Sequence, residues 1–102
     1  MNTIFHITSA TAAEEAKRSG EYVPEGFAVE GFIHCSYAHQ IRGVLNRFFQ
    51  GRTGLVLLEI DPSRVECRIV DENLEGGEEL FPHVYGRLPL SAVVRIQPVG
   101  SE

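Results

Sequence analysis

The stretch EGFIHCS, residues Glu30–Ser36, is the segment around which the rest of the chain can be placed. We predict a short apolar strand here that runs directly into a helix at Ser36. Successive side chains of a strand point to opposite faces, so Phe32, His34 and Ser36 share one face. Cys35 points to the other face. The stretch therefore predicts a core position for Cys35 and a site that includes His34 and Ser36.

A histidine followed two residues later by a hydroxyl side chain occurs three times in the chain. The three copies are His6-Ile7-Thr8, His34-Cys35-Ser36 and His83-Val84-Tyr85. Each copy falls in a predicted strand, where residues two apart point to the same face. We therefore expect three strands to bring polar pairs to one cleft.

The chain has the length and composition of one globular domain. Its 102 residues are 43% hydrophobic, which is enough for one core and too few for two. We predict a single domain over residues 1–102. Its two cysteines, Cys35 and Cys67, are far apart in sequence and lack metal-ligand spacing, so we expect reduced thiols.

Charge and hydropathy narrow the classes of partner. Nine Lys and Arg against fourteen Asp and Glu give a formal charge of −5 without a basic run, which disfavours a nucleic acid polymer. The chain shows no export signal and no apolar run that could span a bilayer, so we expect a cytoplasmic protein without a membrane partner. A compact anionic ligand held by local dipoles is compatible with this charge.

Two helices are predicted from capping residues and apolar spacing. The first covers about residues 12–19 and begins with a capping box formed by Thr11 and Glu14. The second covers about residues 37–49, where apolar side chains recur at helical spacing. The segment 21–30, which contains proline and glycine, is predicted to be a loop.

Strand character marks six segments. The most apolar, residues 54–61, is predicted to be the central strand because both of its faces are suited to burial. Residues 65–70 alternate between apolar and polar side chains and predict a half-buried strand. Pro82 removes a ladder donor, so residues 80–86 are expected at a sheet edge or against a ligand. Further strands are predicted at 3–7, 31–36 and 92–96, with an acidic loop at 73–79 and a tail at 100–102.

Ser36 supports two interpretations. It could be the N-cap of the second helix, where serine is favoured and its oxygen accepts a backbone N–H. The N-terminus of that helix would also present unpaired donors and a positive dipole end, so the same junction could receive a phosphate or carboxamide oxygen. Both interpretations place His34 beside it.

The histidines also support more than one role. His6, His34 and His83 could contact a ligand, or could form a three-His zinc site with an open position. They lie on three separate segments, without i, i+4 spacing and without an obvious carboxylate behind them, so no metal is favoured. His39, in the first turn of the second predicted helix, is expected to be solvated.

Glu72 is an acid placed at the end of a predicted strand, where a carboxylate can face a cleft. It could be catalytic, could orient His83, or could be solvated. Tyr85 could supply an aromatic surface with a hydroxyl group. Cys35 is not expected to be a nucleophile, because burial raises the pKa of a thiol. The glycines at 76–77 lack the strand-to-helix context of a phosphate loop.

The chain resembles a family of small, mostly bacterial proteins known as domain of unknown function 952. The most specific carriers are Gly-Phe-Ile-His-x-Ser at 31–36 and Phe-Pro-His-x-Tyr at 81–85, and residues 4–7, 55–58 and Glu72 also match. The resemblance covers nearly the whole length. It implies an ADP-ribosyltransferase-like fold, which is an α+β split of two small mixed or antiparallel sheets with two helices. Active relatives of that fold clamp NAD between the sheets, whereas no activity is established for the family.

The resemblance also implies roles for single residues. It implies His6 as the first-strand histidine, His34 or Ser36 as the polar residue of the second strand, and Glu72 as the catalytic acid. Family members commonly carry a tryptophan where this chain has Asp71. The Glu-x-Glu pair of many arginine-modifying relatives is absent, so a carboxylate that steadies the ribose as positive charge develops is missing.

The expected function is therefore binding of a nucleotide-type ligand, NAD or an ADP-ribose-like compound, with ADP-ribosyl transfer or NAD cleavage as an associated activity. NAD is the expected ligand or co-substrate. The alternatives are a non-enzymatic protein-interaction domain and a three-His zinc protein. We expect a concave site with Glu72, His34 and His83 in catalytic roles and His6, Ser36 and Tyr85 in ligand binding.

Overall fold

The computed structural model describes residues 2–73 and 77–99, which form an α+β fold of three helices and three antiparallel sheets. The helices are α1 (Ala10–Ser19), α2 (Phe27–Glu30) and α3 (Ile41–Phe48). The strands are β1 (Ile4–Ser9), β2 (Glu21–Tyr22), β3 (Ile33–His34), β4 (Ser36–Tyr37), β5 (Leu55–Ile60), β6 (Ile69–Glu72), β7 (Phe81–Val84), β8 (Leu88–Pro89) and β9 (Val93–Pro98). Short 3-10 turns at Ala38–Gln40, Pro62–Arg64 and Leu90–Ala92 complete the described elements. The α+β class was predicted correctly, whereas the expected two helices and two sheets were wrong.

The largest sheet has four strands in the order β4-β1-β5-β9. Strand β5 pairs along its whole length with β1, from Ile60 opposite Ile4 to Leu55 opposite Ser9. Leu57 and Ile60 have no exposed surface, as an interior strand with both faces covered requires. The predicted central strand is confirmed.

Two apolar clusters cover the two faces of this sheet. On one face, Ile41 of α3 packs with Ile7, Leu55 and Leu57. On the other face, β5 contributes Leu58 and Ile60 to a larger cluster that also holds α1 and the three-stranded sheet. That cluster includes Ala13, Ala16, Ile33 and Val84. The three-stranded sheet and α3 therefore approach the four-stranded sheet from opposite sides.

Cys35 marks the point where the chain passes from one sheet to the other. Strand β3 belongs to the three-stranded sheet, ordered β3-β7-β6, where His34 pairs with His83. Strand β4 belongs to the four-stranded sheet, where Ser36 pairs with Phe5. Cys35 lies between them, 2% exposed, and its N–H donates to the carbonyl of Pro82 over 3.0 Å. Its predicted core position is confirmed, and burial raises the pKa of its thiol.

The helix predicted to begin at Ser36 begins later. Ser36 is held in β4, a 3-10 turn follows, and α3 starts only at Ile41. The side chain of Gln40 reaches back and its Oε1 accepts from the N–H of Tyr37 over 2.9 Å. The interpretation of Ser36 as an N-cap was wrong, because the pairing of β4 with β1 fixes Ser36 in an extended conformation.

Helix α1 also begins at a different cap from the predicted one. The side chain of Ser9 accepts from the N–H of Ala12 over 3.0 Å, so the capping box of Thr11 and Glu14 was wrong. Strand β1 stays paired with β5 through Ser9, and the helix starts at the next residue. Where the strand ends therefore selects the cap among several hydroxyl residues.

Pro82 lies in β7, the middle strand of its sheet, so the expected sheet edge was wrong. The N–H and C=O of one strand residue point to the same side. The carbonyl of Pro82 accepts from Cys35, just beyond the point where β3 ends at His34. The nitrogen of Pro82 therefore points past the end of β3, where the ladder needs no N–H donor. The missing N–H of the proline thus destabilises the sheet little.

Two further predictions about local structure were wrong. Residues 65–70 were expected to be a strand, but β6 covers only Ile69–Glu72, because β7 ends at Val84 and leaves the preceding residues without a continuous partner. The segment predicted as a loop at 21–30 contains β2 and the single-turn helix α2, which are too short to show periodicity. Part of the acidic loop predicted at 73–79, including Gly76, and the tail at 100–102 lie outside the described residues.

The state of the cysteines and the length of the helices can be compared with the expectations from the sequence. Both cysteines are free thiols, with Cys35 buried and Cys67 partly buried. Across residues 2–73 and 77–99, no helix is long and apolar enough to cross a membrane.

Candidate functional site

A cavity of about 360 Å³ is lined by residues of α3 and of both the four-stranded and the three-stranded sheets. This volume is within the range of small-molecule sites, which runs from roughly 300 to 1,000 Å³. Its polar lining residues are His6, Glu30, His34, Ser36 and His83. Its apolar lining residues are Ile7, Cys35, Val44, Phe48, Phe49 and Phe81. The cavity brings together four of the six predicted site residues, while Glu72 and Tyr85 are not among the described residues that line it.

The alternation of β7 explains why histidine faces the cavity. Val84 is fully buried in the core, so His83 and Phe81 point to the opposite face of the strand. His34 on β3 lies directly across from His83, and their ring centroids are 5.0 Å apart at an interplanar angle of 78°. The sheet thus presents two imidazoles side by side to the cavity.

Phe32 fixes the orientation of both imidazoles. Its ring stacks on His83 with centroids 4.3 Å apart and meets His34 edge-on at 4.7 Å. A third contact, at 5.3 Å, joins Phe32 to Tyr85. Such ring pairs contribute about 0.5–1.5 kcal/mol each beyond the area they bury. The sequence placed Phe32 on the same face as His34 but gave it no role, although that shared face was the available signal.

Glu72 lies on β6 behind His83. It is paired across the ladder with Phe81, two residues before His83, so the two side chains are diagonal neighbours. Its Oε1 accepts from His83 Nδ1 over 2.9 Å and also accepts from the Tyr85 hydroxyl. These hydrogen bonds, first that of Tyr85 and then that of His83, lower the pKa of Glu72. Glu72 is therefore a carboxylate at neutral pH that contacts the site through His83.

Tyr85 serves as a donor to that carboxylate. The hydrogen bond to Glu72 raises the pKa of Tyr85, so the phenol keeps its proton. The guanidinium of Arg68 lies 5.3 Å from the centre of the Tyr85 ring. Tyr85 is thus held by Glu72 and Arg68 and is not among the described residues that line the cavity.

Glu30 is a site residue that the sequence did not reveal. It ends α2, and Gly31 follows in a left-handed conformation with φ +82°, which turns the chain so that Glu30 Oε2 lies 3.2 Å from His34 Nε2. The side chains of Glu30 and His34 are 49% and 44% exposed, so the pair contributes little to stability. Gly31, which lies between Glu30 and His34 in the sequence, could have indicated this turn. It was overlooked because residues 21–30 were predicted to be a loop.

His6 borders the cavity but both of its nitrogens are used by the protein. Nδ1 is 2.5 Å from the main-chain oxygen of His34, and because a carbonyl only accepts, Nδ1 carries the proton. Nε2 is 2.9 Å from the hydroxyl of Tyr22, which in turn hydrogen-bonds Thr8. Burial lowers the pKa of His6 to about 4, so the ring is neutral at pH 7. The role of Tyr22 was missed because β2 has only two residues.

Ser36 lines the cavity as a strand residue. It is 6% exposed and five residues before the start of α3, so it does not form a helix N-terminus with the described helix. The expected anion site based on a helix dipole at this junction was therefore wrong. His39 is exposed and stacks on Tyr37, with centroids 6.4 Å apart, and its predicted solvation is confirmed.

The side chains do not converge on a metal centre. Among the residues that the structure describes, no group of three or more His, Cys, Asp or Glu could hold a metal ion. In addition, both nitrogens of His6 are engaged by His34 and Tyr22. The three-His zinc interpretation gains no support from this geometry.

The chain belongs to the family described as protein of unknown function (DUF952), whose model matches residues 7–96. The crystal structure of protein CC0527 from Caulobacter crescentus is similar at 30% identity, with a TM-score of 0.84 over 95% of this chain and 85% of that chain. The solution NMR structure of CC0527 gives a TM-score of 0.82 at 30% identity, over 96% of this chain and 84% of that chain. A search of the curated proteins found no significant match. Family and fold are thus shown, and the function has to be argued from the site.

Proposed function

We propose that the cavity binds a nucleotide-type ligand, NAD or an ADP-ribose-like compound, through a planar ring of the ligand. The observation that carries the proposal is the composition of the cavity walls. The imidazoles of His34 and His83 face it from the sheet, Phe48 faces it from α3, and Phe49 faces it from the residue that follows α3. Stacking of a base on aromatic side chains is worth about 1–3 kcal/mol, and imidazoles supply polar atoms for the edge of a ring.

The charges of the lining favour a particular placement of such a ligand. The described lining contains the carboxylate of Glu30 and no lysine or arginine, so phosphate groups would find no cation inside. His34 and Glu30 are about half exposed, which puts the polar mouth of the cavity on their side. The ring enters the apolar interior and the phosphates stay in solvent outside the cavity.

NAD cleavage or ADP-ribosyl transfer is a second proposed function, favoured by the hydrogen bond between Glu72 and His83. In such a step, water or an acceptor hydroxyl attacks the ribose carbon, the bond to nicotinamide breaks, and His83 takes the proton of the attacking group. Glu72 stabilises the imidazolium that forms. The same proposal includes a relationship to ADP-ribosyltransferase-like folds, which is supported by antiparallel sheets that flank a cleft.

Ligand binding can be tested by thermal shift and calorimetry with NAD, ADP-ribose, nicotinamide and simple nucleotides. A ligand at a hundred times its dissociation constant adds about 2.7 kcal/mol of stability, which raises the melting temperature of a domain this size by several degrees. His34→Ala should weaken binding, whereas His39→Ala, which removes an exposed histidine outside the cavity, should leave it unchanged. The absence of any response would favour a protein-interaction domain, and a zinc response reversed by a chelator would favour the metal protein.

The second function has its own assay, the release of nicotinamide from NAD. If the reaction occurs, Glu72→Gln should lower turnover at saturating NAD by at least about a hundredfold while leaving the fold nearly intact. Binding without nicotinamide release would leave the first proposal in place and remove the second.

A further inference from the structure

His83 has one nitrogen engaged and one open. Nδ1 is bonded to Glu72, and no described residue hydrogen-bonds Nε2. Within the described chain, every side-chain nitrogen or oxygen that is fully shielded from solvent has a hydrogen-bond partner. Nε2 is therefore not fully shielded, and since His83 is a lining residue whose side chain is only 4% exposed, the opening is to the cavity.

The surroundings of His83 allow little freedom to the ring. Phe32 stacks on one face at 4.3 Å with an interplanar angle of 23°. The backbone of His83 is paired on both sides, with His34 on β3 and Val70 on β6. Phe32 holds the plane of the His83 ring, and the hydrogen bond to Glu72 anchors its Nδ1. The edge of the ring that carries Nε2 therefore points away from Glu72. The imidazole is thus preorganised before any ligand binds.

Glu72 also determines which nitrogen carries the proton. An ionised carboxylate can only accept hydrogen bonds, so Nδ1 must donate. Tyr85 donates to the same oxygen, which immobilises the carboxylate at the position His83 needs. In a neutral imidazole with Nδ1 protonated, Nε2 holds a lone pair. The open nitrogen is therefore an acceptor.

We propose that His83 is a hydrogen-bond acceptor facing the cavity and that Glu72 and Tyr85 are positioning residues that hold it in this tautomer. The ligand group that His83 takes is an N–H or O–H donor, such as a carboxamide or a ribose hydroxyl. The identity of the ligand rests on the function proposed above, whereas the state of His83 is a property of the free protein.

The test is nitrogen NMR of the ligand-free protein labelled with ¹⁵N-histidine at alkaline pH, because long-range correlations show which ring nitrogen is protonated. Wild type is expected to show His83 mainly with Nδ1 protonated. Glu72→Ala removes the acceptor and should shift the majority to the Nε2-protonated form. Glu72→Gln and Tyr85→Phe, which are milder substitutions, should shift it partly. Asp71→Ala is the matched control, because this adjacent acid hydrogen-bonds Tyr37 and not His83, and it should leave the tautomer unchanged.

The possible outcomes separate this proposal from the proposed function. An Nε2-protonated His83 in wild type, or a tautomer unaffected by all three changes at Glu72 and Tyr85, would overturn the assignment of His83 even if NAD or ADP-ribose binds. The expected tautomer supports the assignment, and a lack of response to every nucleotide would then overturn only the proposed ligand. Backbone amide spectra of each variant show whether it is folded. If Glu72→Ala does not fold, Tyr85→Phe still provides the test.

Discussion

The segments His6–Thr8 and His83–Tyr85 have the same pattern, a strand histidine followed two residues later by a hydroxyl, yet they have different environments. In the first, the protein engages both nitrogens of the imidazole and Thr8 completes the network through Tyr22. In the second, one nitrogen is engaged by Glu72, and Tyr85 holds that carboxylate in place. Both histidines are buried, at 9% and 3% exposure.

The difference shows what distinguishes a structural histidine from a site histidine. Burial does not distinguish the two kinds of histidine, because His83 is more buried than His6. The two are distinguished by the number of ring nitrogens that hydrogen-bond within the protein. A ring with both nitrogens engaged has no donor or acceptor left for a ligand. This comparison predicts that changes at His6 act on stability and that changes around His83 act on binding.

The largest expected effect is the cost of His6→Ala. The substitution leaves the carbonyl of His34 and the hydroxyl of Tyr22 without their buried partner, and we expect a loss of about 3 kcal/mol in the free energy of unfolding. His83→Ala should cost about 1 kcal/mol, because it enlarges an existing cavity and Glu72 keeps its bond to Tyr85. Urea unfolding measures both, with His39→Ala as the control at within about 0.5 kcal/mol. Equal costs for the two buried histidines would contradict the comparison.

The second prediction concerns acid. The pKa of His6 is about 4 in the folded protein and about 6.5 in an unfolded chain, so the unfolded chain binds the extra proton first. Stability from the neutral ring is fully present above about pH 6.5 and is lost as the pH falls from 6.5 to 4, by about 3 kcal/mol. His6→Gln should abolish this dependence when unfolding is measured at pH 7 and pH 4.5.

Glu72 gives a separate acid window. Its pKa is lowered from 4.5 by the hydrogen bonds from Tyr85 and His83, so its contribution is present above about pH 4.5 and is lost as the pH falls through the folded value. Tyr85→Phe removes the larger cause and should weaken this dependence below pH 4.5 without changing the window that belongs to His6. A shift of the higher window in Tyr85→Phe would show that the two histidine environments are coupled.

The third prediction compares two adjacent acids of β6. Asp71 and Glu72 each accept a hydrogen bond from a tyrosine, Tyr37 and Tyr85 respectively, but only Glu72 also contacts a cavity residue. Glu72→Gln should weaken the binding of ADP-ribose about tenfold, which corresponds to about 1.4 kcal/mol, while Asp71→Asn should not change it. Calorimetric titration of both variants decides this, and an equal loss in the two would indicate a general charge effect.

The smallest expected effects are those of the two hydroxyls. Thr8→Val should cost about 1 kcal/mol of stability, because Tyr22 loses a partner in a part-buried network, and should not alter ligand affinity. Tyr85→Phe should cost within about 0.5 kcal/mol of stability and weaken ADP-ribose binding about threefold. Melting curves with and without ADP-ribose measure both stability and binding. Weaker binding in Thr8→Val, or a larger loss of stability in Tyr85→Phe than in Thr8→Val, would contradict the distinction between the two segments.

The features predicted well from the sequence are those that depend on neighbouring residues alone. Burial of β5 follows from its nearly continuous apolar run, and Cys35 in the core follows from strand alternation. The end of the first helix predicted at residue 19 is confirmed, because Gly20 follows in the left-handed conformation with φ +89°, which glycine adopts at no steric cost. Local chemistry is sufficient in these three cases.

The parts that could not be predicted depend on pairing between distant segments. Ser36 looks like a helix cap until β1 pairs with β4, and Pro82 looks like an edge residue until the end of β3 is known. For the site, the sequence supplied His34, His83 and the idea that Glu72 could orient His83. It could not supply the register of β6 and β7, which brings Glu72 beside His83 and leaves it outside the described cavity lining.

The central claim, that a nucleotide-type ligand binds between the two cavity imidazoles and α3, is tested most directly by backbone amide NMR during titration with ADP-ribose. We predict saturable shifts for His34, Ser36, Phe81 and His83 and for the end of α3. The amides of Val65 and Cys67, which line a separate cavity, should stay unchanged. Shifts concentrated around that second cavity, or no shifts at ligand concentrations that saturate ordinary nucleotide sites, would contradict the account.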